Sequence, residues 1–187
     1  MSSLDVSAIK LGALQVSAKG AKQVSIFDLH DRSIFLQIGP LAALFEPSAF
    51  NDPSASRVNL VLSTNELVEE TLQQLDNRII ELLAADSCQY FGTALSSTQI
   101  LERMQPSIRV SEKGFKSCRL KMNISGRGRV ALYDMDRQPR EAPESWVGAN
   151  CTARVLVKSV WLMNKEWGIL YEAQAVQLDV QPAECPF

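Results

Sequence analysis

Ser117-Cys118-Arg119-Leu120-Lys121-Met122-Asn123-Ile124 alternates apolar and polar side chains without a break. A period of two places successive side chains on opposite faces of a strand. Cys118, Leu120, Met122 and Ile124 then face a core, while Arg119, Lys121 and Asn123 face solvent or a partner. The stretch around it, Arg103 to Arg129, holds Arg103, Arg109, Lys113, Lys116, Arg119, Lys121, Arg127 and Arg129 against one acid, Glu112. A cationic strand face of this kind is suited to tracking phosphates.

That local charge stands out because the 187-residue chain carries a formal charge of −2. Residues 1–102 hold 6 basic and 12 acidic side chains, and residues 103–187 hold 13 and 9, so the halves are −6 and +4. Such a protein is no general polycation for duplex DNA. It can bind a nucleic acid through one basic face, with an affinity that falls as salt rises. An apolar fraction of 46% and a charged fraction of 21% describe a globular chain with a core rather than a disordered one.

Cys88, Cys118, Cys151 and Cys185 are too widely spaced for a paired metal motif. Cys118 and Cys151 fall in strand-like runs and read as small buried hydrophobes. No apolar run has membrane-spanning length and no signal peptide is evident, so no membrane partner and an intracellular setting are expected. His30 is the only histidine, and with Asp28 and Asp31 it reads as a polar turn rather than a metal site. Gly126-Arg127-Gly128 lacks the glycine spacing and following helix of a phosphate-cradling loop. No nucleophile, base and orienting acid come together, so neither an enzyme nor a cofactor is expected.

The alternation extends to other strands. Val24 to Asp28 and Ser33 to Ile38 flank a turn at Leu29-His30-Asp31-Arg32, with Gly39-Pro40 closing the second strand. Glu46 to Arg57 reads as a surface connection, and Val58 to Leu62 as a strand. Ser63 and Glu66 have capping-box spacing, and Leu67, Val68, Leu72, Leu75, Ile79, Leu82 and Leu83 recur at helical spacing, which predicts a helix to about Ala84. A short helix is expected over Thr98 to Met104. Ser117–Ile124 and Arg129–Asp134 flank Ser125-Gly126-Arg127-Gly128, which predicts a tight hairpin tipped by Arg127. Asp136 to Gly148 reads as a long loop, and Thr152–Leu162 with Gly168–Val180 as a final hairpin.

That hairpin carries Val155-Leu156-Val157-Lys158-Ser159-Val160-Trp161, then Trp167-Gly168-Ile169, then Leu170-Tyr171-Glu172-Ala173-Gln174-Ala175-Val176-Gln177-Leu178. It resembles the C-terminal strand pair of single-stranded DNA-binding proteins of large DNA viruses, which are similar in outline to phage helix-destabilising proteins. The residue-level matches are Trp161, the Trp167-Gly168 pair and the alternating basic strand. The resemblance implies a mainly β fold with α additions, an elaborated oligonucleotide-binding (OB-like) barrel with one prominent helix. It implies a single such domain over residues 1–180 and a flexible tail over 181–187. It also implies single-stranded DNA as the partner, with RNA left open, in replication or recombination within a nucleus or viral replication compartment. Homo-oligomerisation is a further expectation.

The nucleic-acid-binding set on this reading is Arg119, Lys121, Arg127, Arg129, Tyr133, Trp146, Arg154 and Lys158. The basic members track phosphates; Arg154 and Lys158 are spaced to share a strand face. Tyr133 is expected to stack a base at the surface, and Trp146, in the long loop, to close over a ligand. Phe115 and Trp167 are further aromatic candidates, and Trp161 is expected in the core. Pro182-Ala183-Glu184-Cys185-Pro186-Phe187 resembles the partner-recruiting tip of bacterial single-stranded DNA-binding proteins, which would recruit a replication partner; an ordinary frayed terminus is the plainer reading. The rival for the whole chain is a β-sandwich assembly protein whose charges set interface register.

Overall fold

The computed structural model describes residues 5–18, 20–49, 52, 54–163 and 165–179. Its strands are β1 (Ile9–Val16), β2 (Lys22–Asp28), β3 (Ile34–Ala42), β4 (Arg57–Ser63), β5 (Ile108–Val110), β6 (Lys116–Asn123), β7 (Ala131–Tyr133), β8 (Asn150–Met163) and β9 (Glu166–Asp179). Its α-helices are α1 (Glu66–Ala85), α2 (Ser87–Phe91) and α3 (Ser97–Leu101). The strands form one sheet in the order β1-β2-β8-β9-β6-β4, with β3 added to β8, β5 to β6 and β7 to β9.

This order is OB-like, but the sheet is not closed. The path ends at β1 and β4, which do not pair with each other, so the expected barrel is corrected to an open, branched sheet. The branching has a geometric cause. β8 and β9 are each 14 residues long, enough to pair with different partners in succession along one edge. The expected mainly β class with one prominent helix is corrected as well, because three α-helices make the fold mixed α/β. Among the described residues no helix is long and apolar enough to cross a membrane.

The backbone gathers into two compact units, one of residues 1–35, 66–109 and 156–171, the other of residues 36–65, 110–155 and 172–187. In the first, α1 buries Val68, Leu72, Leu75, Ile79, Ile80 and Leu83 along one stripe. Full burial of such side chains stabilises by roughly 1.5–3 kcal/mol each. The helix packs on α3, α2 and β1. Arg78 ties it further by donating to the carbonyls of Ser7 (3.3 Å) and Ile9 (3.4 Å). Trp167 is fully buried and donates its indole N–H to the Ile100 carbonyl at 2.8 Å, which pins α3 to β9. Ser96 and Gln99 form the capping box of α3. Trp161 is only half-buried, although it lies on the same face of β8 as the buried Ser159; the unbroken pairing of Ser159 to Leu162 with Ser25 to Lys22 puts Val160 on the opposite face, so this part of β8 is buried on both sides. Its ring covers Gly168, where an added Cβ would lie 2.8 Å from it; Gly168 is required for space rather than for an unusual backbone angle.

One polar chain is buried in this unit. Asp76 of α1 accepts from the Ser107 hydroxyl at 2.5 Å and its N–H at 3.0 Å, and the Ser107 hydroxyl also meets that of Tyr171 at 2.9 Å. Burial pushes the Asp76 carboxyl above its usual range, and the two hydrogen bonds from Ser107 only partly offset it.

In the second unit, β4 and β6 pair antiparallel over their whole length, from Arg57↔Asn123 to Ser63↔Ser117. Val58, Leu60 and Leu62 thereby share a buried face with Met122, Leu120 and Cys118. Ser63 does not cap α1; it ends β4, and its hydroxyl accepts from the Ala42 N–H at 3.0 Å. β3 runs on past the expected stop at Gly39-Pro40 to Ala42. Gly39 has φ +119°, and a Cβ there would sit 2.2 Å from the Cys151 carbonyl oxygen. The expected β6–β7 hairpin is also corrected. Both strands run parallel to β9, β6 at Glu172 and Ala173 and β7 at Ala175 to Gln177. The intervening segment leaves that line and returns to it, closed by the Val130 N–H donating to the Asn123 carbonyl at 2.8 Å.

Gly39→Ala combines a forbidden backbone angle with a backbone clash and should cost about 3 kcal/mol or more, read as a fall in the urea midpoint. For Asp76, a folded pKa above the unfolded one means that the folded state holds the extra proton. Its stabilisation is complete below the unfolded value of about 4 and is lost as pH rises through the folded one. Asp76→Asn should therefore flatten the stability profile just above pH ~4, measured by urea unfolding across pH; an unchanged slope would exclude Asp76 as its source.

Candidate nucleic-acid interface

The β4–β6 register decides which side chains meet. Opposite Asn123, Lys121 and Arg119 stand Arg57, Asn59 and Val61, and Glu172 of β9 pairs with Lys121 on its other side. Paired positions share a face, so Arg57, Arg119 and Lys121 form one cationic group beside the Glu172 carboxylate. Arg57 Nη2 lies 3.4 Å from Glu172 Oε2, and Gln174 Nε2 donates to Glu172 Oε1 at 2.8 Å. The Glu172 side chain is only 7% exposed, whereas that of Arg57 is 44% exposed. Burial, then the like charges of Arg57 and Arg119, hold the Lys121 ammonium below the usual lysine range. Asn59, itself buried, donates to the Ser48 carbonyl at 3.2 Å, and its Oδ1 is buried with no hydrogen-bond partner among the described residues.

The structure thus unites Arg119 and Lys121 and adds Arg57. In the sequence Arg57 falls at the end of a surface connection, Glu46 to Arg57. The usable signal was its parity with Asn59 in the strand that follows.

The other predicted residues are placed differently. Arg127 is exposed between Gly126 and Gly128, whose φ angles of 74° and 90° give the turn its left-handed steps. Arg129 is exposed and lies 3.4 Å from Glu141, a weak surface pair. Tyr133 is half-buried on β7 opposite Gln177. Arg154 is exposed on β8 within the same unit, while Lys158, half-buried, belongs to the other unit.

Trp146 is not a ring waiting over a ligand. It is buried, and its N–H donates to Glu46 Oε1 at 2.9 Å. That carboxylate also accepts from the Ser145 hydroxyl at 2.6 Å. These hydrogen bonds, Ser145 first, hold Glu46 below the usual carboxylate range. Ahead of Phe45 at 62%, the most exposed ring of this unit among the described residues is instead Phe115, 69% exposed beside β6. The Ser111 hydroxyl accepts from its N–H at 3.0 Å, and its carbonyl accepts from the Ser111 N–H at 2.9 Å, so the turn holds the ring at the head of β6.

Burial pushes the thiols of Cys118 and Cys151 up to about 12 and about 11, which makes them inert packing groups. Among the described residues no group of three or more His, Cys, Asp or Glu side chains could hold a metal. Cys185 and the rest of the expected tail, residues 181–187, lie outside the described residues.

No family model matches this sequence, and no curated protein does. Solved structures do. The chain is similar to gp2.5, a single-stranded DNA binding protein encoded by bacteriophage T7, with a TM-score of 0.52 and 10% identity over 81% of this chain and 91% of that one. The single-stranded DNA-binding protein from bacteriophage Enc34, in complex with ssDNA, gives a TM-score of 0.43 and 13% identity over 93% and 94% of the two chains. The fold shared with gp2.5 is that of a bacteriophage protein, not specifically of the proteins of large DNA viruses that the final hairpin resembles. At 10% identity, what the chain has in common with gp2.5 is its fold.

Proposed function

We propose that this protein binds single-stranded DNA noncovalently along β6, without catalysis. The observation that carries the reading is the cluster of Arg57, Arg119 and Lys121 on one face beside the Glu172 carboxylate. Like charges held together at partial burial repel one another. A phosphodiester placed among them relieves that repulsion and releases counterions from the strand. Phe115 precedes Arg119 by four residues, about 13 Å of extended chain, and offers a ring face to a base while the cations hold the backbone. Arg127 and Arg129 in the β6–β7 detour, with Arg154, extend the charge, and Tyr133 offers a second, less open ring. Trp146 has no part in this reading. The shared fold with gp2.5, whose name states single-stranded DNA binding, supports it.

The test is fluorescence anisotropy across a salt series. The probes are a labelled ~30-nucleotide single strand, longer than the roughly 4–16 nucleotides one such fold covers, and a matched duplex. The single strand should bind more tightly, and the affinity should fall with salt. Replacing Arg119, Lys121, Arg127 and Arg129 together with glutamine should reduce the salt slope by up to about 3 and leave the melting transition nearly in place. Phe115→Ala should weaken binding by roughly 1–3 kcal/mol without changing that slope. Unchanged binding in the quadruple variant would remove the β6 assignment.

Lys121 adds a pH signature. Its ammonium is destabilised in the free protein and stabilised beside a phosphate, so binding draws a proton on. Affinity should be full below the depressed pKa and decline as pH rises through it, earlier than an ordinary lysine would dictate. Lys121→Arg should carry that decline to higher pH, and an identical profile in the variant would show that Lys121 does not meet the strand.

A further inference from the structure

The first unit contains a cavity of about 450 Å³ that the β6 reading does not use. Its wall brings together Lys22 at the start of β2, Tyr90 and Phe91 at the end of α2, Arg103 after α3, and Lys165 and Glu166 at the β8–β9 turn. Three cations face one carboxylate there. None of the three makes an ion pair among the described residues. Arg103 lies over the Phe91 ring, its guanidinium carbon 5.9 Å from the centroid. A guanidinium held on a ring in this way presents a flat, cationic surface on which a planar heterocycle can stack.

Lys165 has φ +67°, a left-handed backbone position where glycine would be unstrained and a lysine is not. Tyr90 in the wall is buried, and its burial and the charge of Asp86 push its phenol up, so it stays protonated and neutral. The volume lies within the 300–1,000 Å³ typical of sites for small organic ligands.

We propose that this cavity is a binding site for one nucleoside monophosphate unit. Lys22 and Lys165 hold its phosphate, the Arg103–Phe91 pair stacks its base, and the exposed Glu166 carboxylate accepts from an exocyclic amine. That last contact favours adenine and cytosine over thymine. The unit is either a free nucleotide or the 5′-phosphorylated end of a strand, since both present the same groups.

The full chain is titrated calorimetrically with dAMP, dTMP, deoxyadenosine and inorganic phosphate up to ~5 mM, a range that captures weak, millimolar binding. Binding of dAMP in preference to the other three is expected. The Lys22→Ala, Lys165→Gly double variant should lose about tenfold or more in dAMP affinity through its two charge-assisted contacts. Glycine is compatible with the backbone at position 165, so the melting temperature should hold. Glu166→Gln should narrow the margin of dAMP over dTMP.

Displacement of bound dAMP by a 5′-phosphorylated oligo-dA but not by its 5′-hydroxyl form identifies a strand end as the source; displacement by neither identifies a free nucleotide. The proposal is overturned if dAMP does not bind, if phosphate alone binds as tightly, or if the double variant binds dAMP unchanged. The quadruple variant of β6 should bind dAMP normally, so failure of this site and failure of the β6 reading give different results.

Discussion

The pairing of β6 between β4 and β9 is the constraint on which the candidate interface depends. A strand puts alternate side chains on opposite faces, so its register is set once one face is buried. Here that face is Cys118, Leu120 and Met122, locked against Val58, Leu60 and Leu62. A slip of one residue would drive Arg119 and Lys121 into the space those apolar groups fill. The core thus fixes the outward position of the two cations, although neither belongs to it. The same register brings in Arg57 from β4 and Glu172 from β9, residues 115 apart in sequence.

The electrostatics of that face also explain how a net acidic chain can present a local attraction for an anion. The whole-chain charge of −2 describes the average field, which solvent ions screen beyond a Debye length of about 8–10 Å. At shorter range the arrangement of Arg57, Arg119 and Lys121 decides. Glu172 gives the group its internal counterion and lets three cations share a folded surface. Its near-complete burial also leaves Arg57, the most open of the salt-bridged pair, as the part that solvent can reach.

Much of this was legible in the sequence, for identifiable reasons. β6, most of β8 and α1 are readable because each buries one face over many residues, and the period of that face, two or near 3.6, survives in the order of side chains. α2 went unseen because five residues, Ser87–Phe91, are too few to show a period. Ser63 and Glu66 looked like a helix cap, but the Ser63 hydroxyl is engaged by Ala42 across the sheet. The β6–β7 segment has the glycines of a hairpin, yet β7 finds its partner in β9; turn residues specify a change of direction and not the strand that receives the chain afterwards. Arg119 and Lys121 were readable from alternation alone. Arg57 was not, because its place in the cluster is a pairing across strands. Trp146 misled because its loop is irregular in sequence while its anchor, Glu46, lies 100 residues away.

The detour between β6 and β7 has a consequence for how this molecule can vary. Its two ends are neighbours, joined by one backbone hydrogen bond between Val130 and Asn123, and the strands on either side keep their places through β9 and not through each other. The intervening residues Ile124 to Arg129 are exposed. Lengthening or replacing that segment would leave both ladders intact, since loop-closure cost grows only slowly with length. The tip carrying Arg127 is thus an exchangeable module, a position where a reporter group can be inserted at little cost to the scaffold.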